Sequence, residues 1–180
     1  LSLFSGCGAG EHAMSKMLDI FDVVGVLSCE YDLVASGVLR YHHHEQNELN
    51  CRKDRKIFVK DVNNVDQVHL EKLASWAKDD DAIILVIGGS PCQNLSQAGH
   101  QNGLTGDRSS LLMVMAQITI DLEQLHAEVF HLYENVYMSD VDAAIFSSLS
   151  GSPTSEEIRK NYKLVSECVK IDNRLLSRIG

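Results

Sequence analysis

Leu1-Ser2-Leu3-Phe4-Ser5-Gly6-Cys7-Gly8-Ala9-Gly10 is the stretch whose reading decides the fold. Leu1 to Phe4 has the extended, apolar character of a strand, and it runs into a turn holding three glycines. Beyond the turn, Ala13, Met14, Met17, Leu18 and Phe21 fall on one face of a helical pattern. A strand that bends sharply through glycines into a helix is the opening unit of a βαβ fold. The glycines also let backbone N–H groups approach a ligand at the helix N-terminus. Their spacing here is G-x-G-x-G, tighter than the G-x-G-x-x-G that seats a dinucleotide pyrophosphate, and it favours a ligand without phosphates.

Working outward, apolar runs alternate with amphipathic stretches. The spacing predicts further strands at Val23 to Cys29, Ile57 to Val59, Ile83 to Ile87 and Glu128 to Tyr133. Between them it predicts a helix with Val65, Val68, Leu73, Trp76 and Ala77 on one face, and another over Leu111 to Leu125 carrying Leu111, Leu112, Met115, Thr119 and Leu122. The fold class is therefore α/β, a doubly wound, mostly parallel Rossmann-like sheet. Further on, Val141, Ala144, Ile145, Ser148 and Leu149 share a helical face closed by Gly151-Ser152-Pro153. Thr154 and Glu157 make a capping-box pattern, and 162–171 has the apolar content of a last strand.

At 180 residues and 44% hydrophobic, the chain suits one core that buries about 70% of the surface of the unfolded form. No run approaches the roughly 18 apolar residues of a membrane span, and no leader pattern is seen, so the expectation is an intracellular protein with no membrane partner. The five cysteines form no C-x-x-C pair, which argues for reduced thiols. The eight histidines have no metal-ligand spacing and are read as surface or helix residues, so no metal is expected. The formal charge of −9 offers no footprint for a phosphate backbone. The basic group Arg52, Lys53, Arg55 and Lys56, interrupted by Asp54, reads as a solvated loop. The chain opens inside a strand without an initiator methionine and stops just after Arg174 and Arg178, so residues 1–180 read as one catalytic and cofactor-binding domain cut at both ends.

The carboxyl ends of the strands carry the candidate ligand groups. In Cys29-Glu30-Tyr31 the glutamate is placed to hold ribose hydroxyls, and in Lys60-Asp61-Val62 the aspartate is placed to accept from an adenine amino group. Each acid alone reads equally well as a helix cap or a loop carboxylate; three matched strand ends together favour an adenosine-bearing ligand. Off the fourth strand comes Gly88-Gly89-Ser90-Pro91-Cys92-Gln93-Asn94-Leu95-Ser96. An ordinary cysteine is a small core hydrophobe, but this one sits beside glycines that permit close approach and a proline that fixes the entry angle.

Ser90-Pro91-Cys92-Gln93 together with Glu134-Asn135-Val136 resembles the signature pair of the cytosine-C5 DNA methyltransferases, in the same order and spacing. The resemblance covers nearly the whole chain. Its wording at Ala9, Val59-Lys60-Asp61-Val62 and Ile87 to Cys92 is nearest the animal de novo branch and its phage or bacterial relatives. It implies that Phe4, Ser5, Gly6, Cys7, Gly8, Ala9 and Gly10 hold S-adenosyl-L-methionine, that Glu30 and Tyr31 take its ribose side, and that Asp61 and Val62 take its adenine. It implies a Cys92 nucleophile on the Pro91 turn, with Glu134 as acid and Asn135 as brace. The implied partner is double-stranded DNA with its cytosine flipped out, with roles in DNA methylation such as restriction-modification, in the cytoplasm of a bacterium or the nucleus of a eukaryote. The loop 97–108 corresponds to the one that closes over the flipped base in relatives.

Carbon 5 of cytosine is too weak a nucleophile to take a methyl group unaided, so a thiolate must first add at carbon 6. An ordinary thiol of pKa about 8.5 is mostly protonated at neutral pH and needs help from its surroundings. The charge left on the ring calls for a protonated carboxyl at nitrogen 3, favoured by a pocket that excludes water. Two other readings stay open: a tRNA methyltransferase, although that branch usually has Pro-Pro-Cys with Phe-Thr following, and an inactive regulatory homologue. The recognition region is expected beyond Gly180, since Arg174 and Arg178 do not match the family's Gln-x-Arg-x-Arg. The oligomeric state, a homo-oligomer included, is not fixed by the sequence.

Overall fold

The structure, a computed structural model, describes residues 1–90 and 109–134. Five strands form one wholly parallel sheet in the order β3-β2-β1-β4-β5: β1 (Ser2–Leu3), β2 (Val26–Cys29), β3 (Lys56–Val59), β4 (Ile84–Gly88) and β5 (Val129–Tyr133). The helices between them are α1 (Ala9–Ser15), α2 (Leu33–Leu39), α3 (Gln67–Asp79) and α4 (Ser109–Leu125). All five predicted strands are present; β2 starts at Val26 because Val23 to Gly25 lead into it without pairing.

Register and pleat assign the two faces. Leu3 stands beside Cys29 on one side and Gly88 on the other, and this row packs with Leu70, Leu73, Trp76, Leu112 and Met115 of α3 and α4. One residue back, Ser2, Ser28 and Ile87 line up on the opposite face, where Ser28 meets Glu11 of α1 and Ile87 lies under Gly10. Phe58, next in that row, meets the Arg40 and His44 side chains that follow α2. So α1 and α2 cover one face and α3 and α4 the other, which is the doubly wound arrangement expected. Leu3, Leu27, Leu70, Met115 and Leu122 are fully buried, each adding about 1.5–3 kcal/mol to the drive for folding.

Two helical readings need correction. In α3 the buried face is Leu70, Leu73, Ala74, Trp76 and Ala77; Val68 is 69% exposed, and Val65 precedes the helix. Asp66 caps α3 by accepting from the His69 backbone N–H, which fixes the start one residue after the cap and rotates Val68 outward. The pattern over Ala13 to Phe21 does not extend the first helix, since α1 ends at Ser15 and the chain continues in turns. The reading of α4 holds, with Leu112, Met115, Thr119 and Leu122 all buried. The patterns in 141–149, 151–157 and 162–171 lie outside the described residues. Among the described residues, no helix is long and apolar enough to cross a membrane.

Candidate active site

The strand order reverses direction of winding between β1 and β4, and a crevice opens there at the carboxyl edge, where open parallel sheets take their ligands. A cavity of about 730 Å³ occupies this edge, lined by Phe4, Glu30, Tyr31, Asp61, Val62 and Gly89, among others. Four strand ends with little adjacency in sequence, those of β1 to β4, therefore meet at one hollow.

At the β1 end the turn is held from within. Phe4, Gly6 and Gly8 have φ of 55°, 56° and 89°, so the chain takes three left-handed steps in five residues, two of them at glycine. The Ser5 N–H donates to the Cys29 carbonyl at 2.9 Å, the Gly6 N–H to Glu30 Oε2 at 2.7 Å, and the Gly8 N–H to the Ser5 carbonyl at 2.9 Å. Ser5 Oγ is tied to Ser2 Oγ at 2.8 Å. These N–H groups, expected to face a ligand, are largely engaged inside the chain. What the turn offers a ligand is shape, together with the acids around it. Cys7 is exposed at the tip, while Ala9 and Gly10 form the first turn of α1.

Glu30 is the centre of this half. Its Oε2 accepts from Gly6 and its Oε1 from the Asp32 N–H at 2.7 Å, so the carboxylate bridges the ends of β1 and β2. Each oxygen keeps a second lone pair, enough for a pair of vicinal hydroxyls. Asp61 caps the short helical turn Val62–Asn64 through Oδ1, which accepts from the Asn63 backbone at 3.0 Å and from its side chain at 2.8 Å. It therefore serves as the cap that its alternative reading supposed, and it also lines the cavity. Tyr31 stands 69% exposed at the rim, with Lys60 Nζ 5.5 Å from its ring centre.

The β4 and β5 ends supply the other wall. The Glu134 N–H donates to the Gly88 carbonyl at 2.9 Å, and Glu134 Oε2 lies so near Gly89 that a Cβ there would come within 2.9 Å. A Cβ at Gly88 would meet the Leu3 carbonyl at 2.8 Å, so that glycine is required by close approach, whereas one at Gly89 would meet only the movable end of the Glu134 side chain below 3 Å. Glu134 is exposed, and the described residues do not build around it the water-excluding pocket expected for a proton donor. Pro91, Cys92, Asn135 and the loop 97–108 lie outside the described residues. Among the other thiols, burial, then Asp61, then Glu30 push Cys29 up to about 12, and burial raises Cys51. Both are inert as nucleophiles at neutral pH.

Several residues that matter here carried no sequence signal. Glu11, on α1, is 2% exposed and accepts from Ser28 Oγ at 3.0 Å. His43, taken for a surface or helix residue, lies in the helical turn Arg40–Glu45 at 1% exposure, with its Nε2 3.2 Å from the Gly8 carbonyl. The basic group is not a solvated loop throughout. Arg55 is buried against Asp80, and Lys56 Nζ donates to the His43 and His44 carbonyls at 3.0 and 3.2 Å; the exposed part is Lys53 and the Arg52–Asp54 pair. His131, odd inside β5, stacks on Tyr133 with ring centres 4.8 Å apart, and Tyr133 in turn hydrogen-bonds Thr119 on α4. Among the described residues, no group of three or more acids, histidines or cysteines is arranged to hold a metal.

A parallel sheet with this winding, flanked by helices on both faces, is the Rossmann-like frame of the methyltransferases. The sequence profile of C-5 cytosine-specific DNA methylases matches residues 1–138, and the chain belongs to that family. It is similar to the DNA (cytosine-5)-methyltransferase DRM1 of Arabidopsis thaliana, at 33% identity over 73% of this chain and 20% of that protein. It is similar also to the orphan methyltransferase M.SPRI of Bacillus phage SPR, at 30% identity over 76% of this chain and 26% of that protein. A third relative is the type II methyltransferase M2.BsuMI of Bacillus subtilis, at 29% identity, with 76% of this chain and 28% of the relative covered. The chain thus spans between a fifth and just over a quarter of the length of these relatives.

Proposed function

We propose that this chain carries the catalytic half of a DNA cytosine-C5 methyltransferase, in which S-adenosylmethionine sits in the edge cavity and Cys92 attacks a flipped-out cytosine. The observation that carries the reading is Glu30. Its carboxylate is fixed by two backbone N–H groups, faces a cavity of about 730 Å³, and has Asp61 and Tyr31 along the same rim. That set suits the cofactor: two vicinal hydroxyls for Glu30, a ring for the Tyr31 face, an amino group for Asp61, and no phosphate to crowd the tight turn. When bound, the cofactor supplies an electrophilic methyl group.

The chain's own residues do the rest. Cys92 adds as thiolate to carbon 6 of the base, and Glu134 gives a proton to ring nitrogen 3 as the electron pair moves to carbon 5. Carbon 5 then takes the methyl group, whose bond to the cofactor's sulfonium breaks to leave a neutral thioether. A base, for which water suffices, takes the carbon-5 proton, the carbon 5–carbon 6 double bond re-forms as Cys92 leaves as thiolate, and nitrogen 3 returns its proton to Glu134. Asn135 braces the Glu134 loop. The proton-donor role calls for surroundings that exclude water, and among the described residues Glu134 is exposed. Flipping the cytosine out of the stack costs a few kcal/mol, drawn from contacts with the duplex. Its net charge of −9 makes this chain a poor source of those contacts.

The test is covalent trapping with the full chain on DNA containing 5-fluorocytosine, which cannot lose its carbon-5 substituent. An adduct that depends on both S-adenosylmethionine and Cys92 is expected. An equal adduct from Cys92→Ala would sink the assignment. Calorimetry of S-adenosylmethionine binding, with Glu30→Ala beside the unmodified protein, tests the cofactor site separately. Absence of heat from the unmodified protein would favour a regulatory homologue.

A further inference from the structure

The G-x-G-x-G turn does not stand by itself; an imidazole lies against its back. His43 is 1% exposed, and its Nε2 sits 3.2 Å from the carbonyl of Gly8. The contact is close enough that a Cβ on Gly8 would lie 2.7 Å from Nε2 and 2.8 Å from Cδ2, and Gly8 at φ 89° is the most strongly left-handed residue of the turn. His43 is itself fixed. Its carbonyl accepts from Lys56 Nζ, at the start of β3, and its helical turn follows directly on α2. The groups facing the ring are Glu11 on α1, His42 beside it, and Glu48, whose Oε2 lies 3.8 Å from Nδ1.

We propose that His43 is a positioning residue for the methyl donor: its Nε2–H holds the Gly8 carbonyl and so sets the curvature of the turn against which S-adenosylmethionine lies. The proposal rests on the cofactor reading above. Burial drives the imidazole toward its neutral form, and a neutral ring that donates from Nε2 leaves Nδ1 bare. Nδ1 indeed has no hydrogen-bond partner in the structure. The carbonyl of Gly8 also accepts from the His12 N–H at 2.8 Å, so the imidazole supplies its second bond at the point where strand geometry gives way to helix.

The test uses three forms of the full chain: unmodified, His43→Gln, and His43→Phe. Glutamine places an amide N–H near the position of Nε2; phenylalanine fills the volume but cannot donate. With folding checked by thermal melt, S-adenosylmethionine binding by calorimetry is expected to weaken about tenfold in His43→Phe and to stay within about twofold in His43→Gln. If His43→Phe does not fold, His43→Asn replaces it, because its amide is too short to reach Gly8. Equal affinity in all three forms overturns the proposal, as does equal weakening in His43→Phe and His43→Gln, which would make the ring a packing element. If the unmodified protein binds no S-adenosylmethionine, the cofactor reading itself fails, a result distinct from either of these.

Discussion

At the β1–β2–β3 half of the carboxyl edge, Ser5, Glu30 and Asp61 are each held by a hydrogen bond made within the chain. At the β4–β5 half, Glu134 is exposed, and among the described residues its main chain ties to Gly88. The first half is set before any ligand arrives. The second presents its acid on a strand end and must gain its water-excluding surroundings from elsewhere. Binding of the methyl donor and handling of the base are therefore separable, and substitutions on the two sides should fail in different ways.

The largest effect is expected at Glu134. Replacing it with glutamine keeps size and hydrogen-bond capacity but removes the proton donor, and should lower methyl transfer at saturating S-adenosylmethionine by about a hundredfold or more. Because the side chain is exposed, stability in urea should stay within about 0.5 kcal/mol. A large loss of stability in Glu134→Gln would break the contrast, since it would mean that this half is also built into the fold.

On the other side, Gly8→Ala and Gly6→Ala separate collision from conformation. Both glycines are left-handed, but a Cβ at Gly6 meets nothing within 4 Å, whereas one at Gly8 drives into His43 and into Leu39 Cδ1 at 2.9 Å. Gly6→Ala should cost the backbone term alone, about 1 kcal/mol. Gly8→Ala should cost about 2–4 kcal/mol, since overpacking adds to strain, and should weaken S-adenosylmethionine binding as well. Urea midpoints measure the first difference and calorimetry the second. Equal costs at the two glycines would show that the His43 contact relaxes without penalty.

The same contrast explains what could be read from the residues. The strand ends were legible because a parallel sheet needs apolar runs of strand length, and a turn at each carboxyl end puts Glu30, Asp61 and Glu134 on one edge wherever the strands pair. Helix faces were less so. Val68 has the right spacing for the core, yet the Asp66 cap sets the phase of α3 and puts Leu70 inside instead. Glu11 and His43 were not legible at all. Burial of a polar side chain is decided by what the other elements bring to it, here Ser28 from β2 and Gly8 from the turn, and neither partner lies near in sequence. Arg55 was misread for the same reason, its partner Asp80 being at the far end of α3.

The smallest expected effect is the pH dependence of stability, which draws on groups of the donor-binding half. Burial first, helped for His44 by Lys56 and Arg40, lowers both His43 and His44 from the ordinary 6.5. The unfolded chain then binds more protons than the folded one over the interval below 6.5. Their contribution is complete above that pH and is lost as pH falls through the folded values. Glu48, Asp54 and Asp66 shift downward in the folded state, through His42, Arg52 and His69 respectively, but they act only in the lower window below about 4.5 and are screened by solvent. At the alkaline end, Cys29, pushed up to about 12, keeps its contribution below 9 and loses it as pH rises beyond. Urea midpoints measured from pH 5 to 8 should therefore fall on the acid side of 6.5. In a His43→Gln, His44→Gln double variant that part of the fall should flatten, while Glu134→Gln should leave it in place. An acid limb of the same depth in the double variant would assign it to carboxylates outside the donor half, and would remove the two imidazoles from the account of that half's stability.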